Sequence, residues 1–223
     1  DSLRAGVFLT GGLDSRTLIG FTRPRTPPVV SASFGQANSR DVYYAAKIAR
    51  AVGSQHYWFD LPDGRWVLDN VELHLKLTEG FHSWIHMHSI SMLPRLREVM
   101  DYNLNGWDGG TVMGHSDQIN PIYNYPINKE TVLVETFKQF VSSYVWPGLL
   151  EAEERLLYTD SFGKQAWGCA FESMRQEFDR FWQFRQHYAA EYFYIVNHCW
   201  RSTGNMVAVA RSHLEVRFPF WDY

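Results

Sequence analysis

The run Val7-Phe8-Leu9-Thr10 breaks off at Gly11-Gly12, and Asp14-Ser15 then open a helical pattern through Leu18 and Ile19. A short buried strand, a glycine pair and a helix start, in that order, constrain the fold more than any other stretch of the chain. The turn gathers several backbone N–H groups and the positive end of a helix dipole at one point, a ready seat for phosphate or pyrophosphate. Gly11 and Gly12 let the backbone approach closely, and Ser15 adds a hydroxyl donor. Asp14 is an anion beside an anion, which makes chemical sense with a magnesium ion between the two. The competing reading of the glycine pair is an ordinary turn with Asp or Ser as helix cap.

The rest of the first half alternates strand and helix signals. A proline-rich connector over Thr22–Pro28 stops the first helix. Val29–Phe34 reads as a second buried strand closed by Gly35. Asp41 is placed to cap a helix whose apolar positions are Val42, Ala45, Ala46, Ile48, Ala49 and Val52, ending at Gly53. His56–Leu61 alternates as a third strand. Trp66–Leu77 and Trp84–Met100 read as helices, the second with a kink or break at Pro94, and Asp101–Asn105 is a short fourth strand. Strands alternating with helices predict a doubly wound α/β fold with a parallel sheet and right-handed crossovers. Ligands of such sheets sit beyond the carboxyl ends of the strands, where Gly11, Gly35 and Gly106 all fall. That convergence places an adenosine near Leu9, Ala32, Ser33 and Gly106.

From Lys129 the pattern turns helical, with Val132, Leu133, Phe137, Phe140, Val141 and Tyr144 at helical spacing and further runs over Ala170–Phe184 and Tyr188–Val207. The expected division is residues 1–128 as the nucleotide-binding α/β region and 129–223 as a helical region of the same domain. Large aromatics, 16 % of the chain, concentrate in the second half and read as core. With 223 residues and 45 % hydrophobic content the chain is globular. A net charge of −3 gives no basic footprint for nucleic acid. No apolar stretch approaches the ~20 residues of a membrane span, and nothing resembles a signal peptide, so a cytoplasmic location is expected. Cys169 and Cys199 lack metal-like spacing. His82 and His86 are spaced to chelate but have no evident third ligand, while His86 and His88 do not share a helix face. The chain begins close to its first strand and ends straight after an apolar run, which reads as an excised domain or incomplete chain.

A second informative segment is Leu104-Asn105-Gly106-Trp107-Asp108-Gly109-Gly110-Thr111-Val112-Met113-Gly114, where the backbone of a glycine-rich loop must pass close to something. A third is Leu214-Glu215-Val216-Arg217-Phe218-Pro219-Phe220-Trp221-Asp222, read locally as an ion pair followed by an anchoring turn. Together with residues 7–16 they resemble the asparagine synthetase family, a branch of the N-type ATP pyrophosphatases. The family's pyrophosphate loop is Ser-Gly-Gly-x-Asp-Ser, with Thr10 here in place of the Ser. The chain lacks the Walker pattern Gly-x4-Gly-Lys-Ser/Thr that serves cleavage at the terminal phosphate. The resemblance covers Gly6–Gly114 and Trp200–Asp222, and Arg201 matches an arginine that usually precedes the last segment. His56 matches a family histidine and is read as packing.

That resemblance implies an ATP-dependent carbon–nitrogen ligase that activates a carboxylate, aspartate by default, as an acyl-adenylate with release of AMP and pyrophosphate. It implies ATP and Mg2+ as cofactors, ammonia or an amine as acceptor, and a glutaminase domain or subunit outside this sequence. The family's catalytic lysine also lies beyond the Pro-Phe-Leu-Asp element. Cofactor contacts carry over to Leu9, Thr10, Gly11, Gly12, Leu13, Asp14, Ser15, Ala32, Ser33, Asn105 and Gly106, with Asn105 standing for a Ser of the family segment Ser-Gly-Glu-Gly-Ala-Asp-Glu. There the chain departs from the family. Trp107 replaces the first Glu, Gly110-Thr111 replace the Asp-Glu pair, and Asp108 is the one carboxylate left to join Asp14 as catalytic residue and metal ligand. A β-lactam synthetase or peptide cyclase, another pyrophosphate-loop enzyme and a catalytically degenerate nucleotide binder are the alternatives.

Overall fold

In the computed structural model, residues 3–22, 27–80, 84, 87–113, 128–144, 156, 158–183, 188–197 and 204–222 are described. The chain divides into two compact units, residues 1–114 with 200–223, and residues 115–199. In the first unit five strands, β1 (Ala5–Phe8), β2 (Val30–Gly35), β3 (Gln55–Asp60), β4 (Tyr102–Leu104) and β5 (Glu215–Arg217), form one sheet in the order β3-β2-β1-β4-β5. All four pairings are parallel. Helices cover both faces. On one, α1 (Leu13–Phe21) and α2 (Arg40–Val52) bury Ile19, Ala45 and Ala49 against Val7 and Leu9. On the other, α5 (Leu93–Val99) and α10 (Gly204–Arg211) bury Leu93, Leu96 and Val209 against Val30 and Ala32. This is the doubly wound α/β architecture expected from the alternation of strand and helix signals. Ile19 is fully buried, so Ile19→Ala is expected to cost about 2–5 kcal/mol.

Several local expectations change, each for an identifiable reason. β1 ends at Phe8 rather than Thr10 because the Thr10 N–H turns to the Ser15 hydroxyl at 3.2 Å, although the Leu9 N–H still donates to the Ala32 carbonyl at 2.8 Å. The helix read over 66–77 is two, α3 (Arg65–Asp69) and α4 (Val71–Thr78), parted at Asn70, whose side chain donates to the Trp66 carbonyl at 2.7 Å. The long helix read over 84–100 shrinks to α5. Pro94 sits in its first turn, where a missing N–H costs nothing, instead of kinking a longer helix. Residues 109–113, read as loop, form the short helix α6 (Gly109–Met113). The periodicity groups 204–222 with the helical half, yet this segment belongs to the first unit, where β5 pairs with β4 through Asn103–Val216 and its flanking register.

The second unit contains α7 (Lys129–Tyr144), α8 (Asp160–Trp182) and α9 (Ala189–Tyr194). Its core is Val132, Leu133, Met174, Phe178, Ala189, Ala190 and Phe193, with Phe137, Phe171, Phe181, Trp182 and Tyr194 packed on it. Among the described residues, Phe137 of the aromatic stripe therefore packs on this core. Arg175 forks onto Glu130 at 2.8 and 2.9 Å, tying α8 to α7. Thr159 caps α8 by accepting from the Phe162 N–H. Cys199, Arg201, His82, His86, Gly114 and the side chains of Thr111, Phe140, Val141 and Tyr144 lie outside the described residues. No helix among the described residues is long and apolar enough to cross a membrane.

Candidate functional site

The β1–α1 turn is built by its own side chains. Gly12 is the N-cap of α1 and makes no side-chain cap bond. Its N–H donates instead to the Thr10 hydroxyl oxygen at 3.0 Å, and that hydroxyl lies 3.2 Å from the hydroxyl of Ser15. The residue in place of the family's Ser thus keeps the hydroxyl that folds the turn. Helix geometry leaves the N–H groups of Leu13, Asp14 and Ser15 without intrahelical acceptors, and Asp14 is the acidic residue of the first turn. The Gly11 N–H points elsewhere, donating to Asp41 Oδ1 at 3.0 Å. Asp41 is therefore not the cap of α2; Ser39 fills that role, accepting from the Val42 N–H at 3.3 Å.

The next turn, at the end of β4, comes down on this helix start. A Cβ on Gly106 would lie 3.0 Å from the Ser15 nitrogen and 3.1 Å from the Asp14 carbonyl carbon, so a larger residue would have to push the start of α1 aside by a few tenths of an ångström. A Cβ on Gly109 would lie 2.9 Å from the Asp14 carboxyl carbon and 2.7 Å from the Phe220 ring. Between these two contacts, the side chain of Asn105 accepts from the Trp107 N–H at 2.8 Å, and Asp108 takes a left-handed conformation with φ 60°. The Asp108 carbonyl accepts from the Val112 N–H at 3.1 Å, starting α6.

What holds this second turn in place comes from far along the chain. The Asn105 N–H donates to the Arg217 carbonyl at 2.9 Å. The Trp107 ring stacks on Trp221, centroids 5.8 Å apart at 19°, and meets Phe218 edge-on at 5.6 Å. Pro219–Trp221 forms the anchoring turn as one 3-10 turn. The pair Glu215–Arg217 forms at 2.7 Å but is exposed rather than buried, and Arg217 also lies over the Tyr102 ring at 4.3 Å. An exposed pair of this kind is worth about 0–1 kcal/mol, so the aromatic contacts carry the docking. The sequence contains these aromatics but no local signal that Trp107 and Trp221 meet.

Asp14 and the Asp108 segment are thus brought together around one helix end, with Thr10, Gly11, Gly12, Leu13, Ser15, Asn105 and Gly106 in the two turns that form it. Leu9, Ala32 and Ser33 stand apart in one respect: their side chains are buried in the sheet. The Leu9 N–H and the Ala32 carbonyl are moreover bonded to each other at 2.8 Å, so these residues build the sheet beside the two turns. Ser33 is engaged with His56, whose Nε2 is 3.1 Å from its hydroxyl, while His56 Nδ1 is 2.8 Å from the Ser31 hydroxyl and that in turn 2.8 Å from Ser54. Burial lowers the His56 pKa below its usual value. His56 is therefore part of a neutral polar ladder between β2 and β3. His88 packs its ring on Phe34 and Trp66. Among the described residues no three His, Cys, Asp or Glu side chains gather as a metal ion could use.

A parallel sheet with two glycine turns closing on one helix end is a doubly wound α/β architecture, a class whose ligands bind beyond the carboxyl ends of the strands. The family model described as asparagine synthase matches residues 1–78, the stretch from β1 through α4. Over that segment the chain is similar to the asparagine synthase family. No curated protein matches the chain.

Proposed function

We propose that the chain is the synthetase part of an ATP-dependent amide-forming enzyme, activating a carboxylate as its acyl-adenylate with release of pyrophosphate. The observation that carries this reading is the closure of the glycine turn of β4 onto Asp14 and Ser15 at the start of α1, at the carboxyl edge of a parallel sheet. The N–H groups of Leu13, Asp14 and Ser15 would hold the pyrophosphate portion, helped by the helix dipole. The adenosine would lie near the strand ends that carry Leu9, Ala32 and Ser33 and against Asn105 and Gly106. Magnesium usually takes one or two carboxylates plus phosphate oxygens and waters; Asp14 and Asp108 supply carboxylates of that chemistry, and the ion would neutralise charge between them and the phosphates. The substrate carboxylate would attack the α-phosphorus and pyrophosphate would leave; ammonia or an amine would then attack the activated carbonyl, expelling AMP and losing a proton as the amide forms. Aspartate is the default acid, and a glutaminase partner the default source of ammonia.

A second reading, a nucleotide binder without catalysis, is favoured by Gly110 and Thr111, which leave two of the family's acidic positions empty. Exchange of labelled pyrophosphate into ATP, run with a panel of amino acids and other carboxylic acids, separates the two. Exchange that depends on one acid supports the synthetase. ATP binding with no exchange for any acid supports the second reading.

A further inference from the structure

The N–H of Gly11 does not face the helix end that offers Leu13, Asp14 and Ser15. It donates to the carboxylate of Asp41, thirty positions later at the start of α2. The fit is close from both sides: a Cβ on Gly11 would lie 3.2 Å from Asp41 Oδ1 and 3.3 Å from the Tyr44 Cβ. Asp41 is not needed to cap α2, because Ser39 already accepts from the Val42 N–H. Among the described residues its side chain's hydrogen bond is to the Gly11 N–H of the phosphate loop. We propose that Asp41 is a positioning residue: its carboxylate holds the Gly11 peptide turned away from the helix end, so that the loop keeps one shape and an anion is confined to Leu13–Ser15. The proposal rests on the nucleotide reading given under Proposed function.

The physical case has two parts. A glycine pair is conformationally free, and a loop that must present N–H groups to a phosphate loses affinity if its peptides rotate. Thr10 fixes the Gly12 N–H and Ser15 the Thr10 N–H; the loop reaches the Thr10–Gly11 peptide only through the Ser15 hydroxyl, 3.5 Å from the Thr10 carbonyl, and leaves its Gly11 N–H to Asp41. A hydrogen bond to an ionised acceptor is among the stronger ones available for that task. The negative charge also excludes a second anion from the Gly11 side of the turn.

Three variants separate the hydrogen bond from the charge. Asp41→Asn keeps an oxygen acceptor for the Gly11 N–H and removes the charge; Asp41→Ala removes both; Gly11→Ala leaves Asp41 in place but pushes it away. In titrations of the purified chain with inorganic pyrophosphate and magnesium, Asp41→Asn should stay within about threefold of wild type, whereas Asp41→Ala and Gly11→Ala should bind about tenfold more weakly. Hydrogen exchange at the Gly11 amide should be fast in Asp41→Ala and slow in wild type and Asp41→Asn, with all melting temperatures close together. Wild-type binding with all three variants unchanged, or Asp41→Asn as weak as Asp41→Ala, overturns the positioning role and leaves the nucleotide reading standing. Failure of the wild type to bind pyrophosphate or ATP overturns both.

Discussion

Two turns leave neighbouring parallel strands at the same edge of the sheet, one from β1 and one from β4, and they are built in opposite ways. Apart from the Gly11 N–H, which Asp41 holds, the β1 turn closes on itself. Thr10, Gly12 and Ser15 satisfy one another within six positions and lead into the nine-residue helix α1. The β4 turn enters a helix of five residues, passes Asp108 through a left-handed conformation, and is held by Arg217, Phe218, Phe220 and Trp221. A locally closed turn can hold its shape in a folding chain before its neighbours arrive. The other has its shape only once β5 has paired with β4.

That difference predicts different failures. The largest effect belongs to the first turn: Asp14→Asn should lower adenylation by about a hundredfold or more, a typical loss for one electrostatic element of a site, with little change in melting temperature. Kinetics of pyrophosphate exchange beside a melting curve check it; a large fall in melting temperature with activity intact would reduce Asp14 to a helix-end residue. Next comes the contact between the turns. Gly106→Ala places a methyl group 3.0 Å from the Ser15 backbone nitrogen, which would have to give by a few tenths of an ångström. It should weaken ATP binding by about tenfold and cost about 1–3 kcal/mol of stability, the usual range for overpacking, as read by calorimetry and denaturant unfolding. Gly109→Ala should be milder, because one of its contacts is a side-chain ring edge that can shift.

A smaller effect is expected from the remote anchors. Trp221→Ala removes the stack on Trp107, and aromatic pairs are worth about 0.5–1.5 kcal/mol beyond the area they bury. Nucleotide affinity should fall modestly, and the loss should be absent from the β1 turn. Amide exchange should quicken at residues 105–109 and stay unchanged at 10–15; equal quickening at both would erase the contrast between the turns.

The first turn was legible because most of what makes it lies within it, the Gly11 N–H held by Asp41 being the exception. The strand run, the glycine pair and the hydroxyls of Thr10 and Ser15 are consecutive, and the parallel sheet follows from the alternation around them. The second turn was legible as a glycine-rich loop over something, but not as a structure. Nothing near Trp107 says that its partner is Trp221, and the three-residue strand β5 has too little periodicity to declare itself. Asp41 was misread for a related reason. An acidic residue at a helix start is ordinarily a cap, and its bond to Gly11 depends on how α2 lies against the loop, which only tertiary packing decides.

The smallest expected effects are in pH. Burial depresses the folded-state pKa of His56 below the usual 6.5, so between the two values the unfolded chain binds more protons. Stability should therefore be complete above 6.5 and decline as pH falls below it. Asp101, held at about 2 by hydrogen bonds from Arg4, acts lower. Its contribution is present above 3.8 and is lost as pH falls through about 2. Melting temperatures followed downward from neutral pH should show the first decline in wild type and lose it in His56→Gln, while the acid decline persists in both.

The central claim is that the start of α1, closed over by the β4 turn, receives the phosphates of ATP. Calorimetric titration of ATP with magnesium into wild type and Gly12→Trp tests it most directly, since a Trp there would occupy the space in front of the Leu13, Asp14 and Ser15 N–H groups. The account predicts saturable binding to wild type and at least a tenfold loss in a variant that melts at the same temperature. Equal affinity in the two proteins would contradict it.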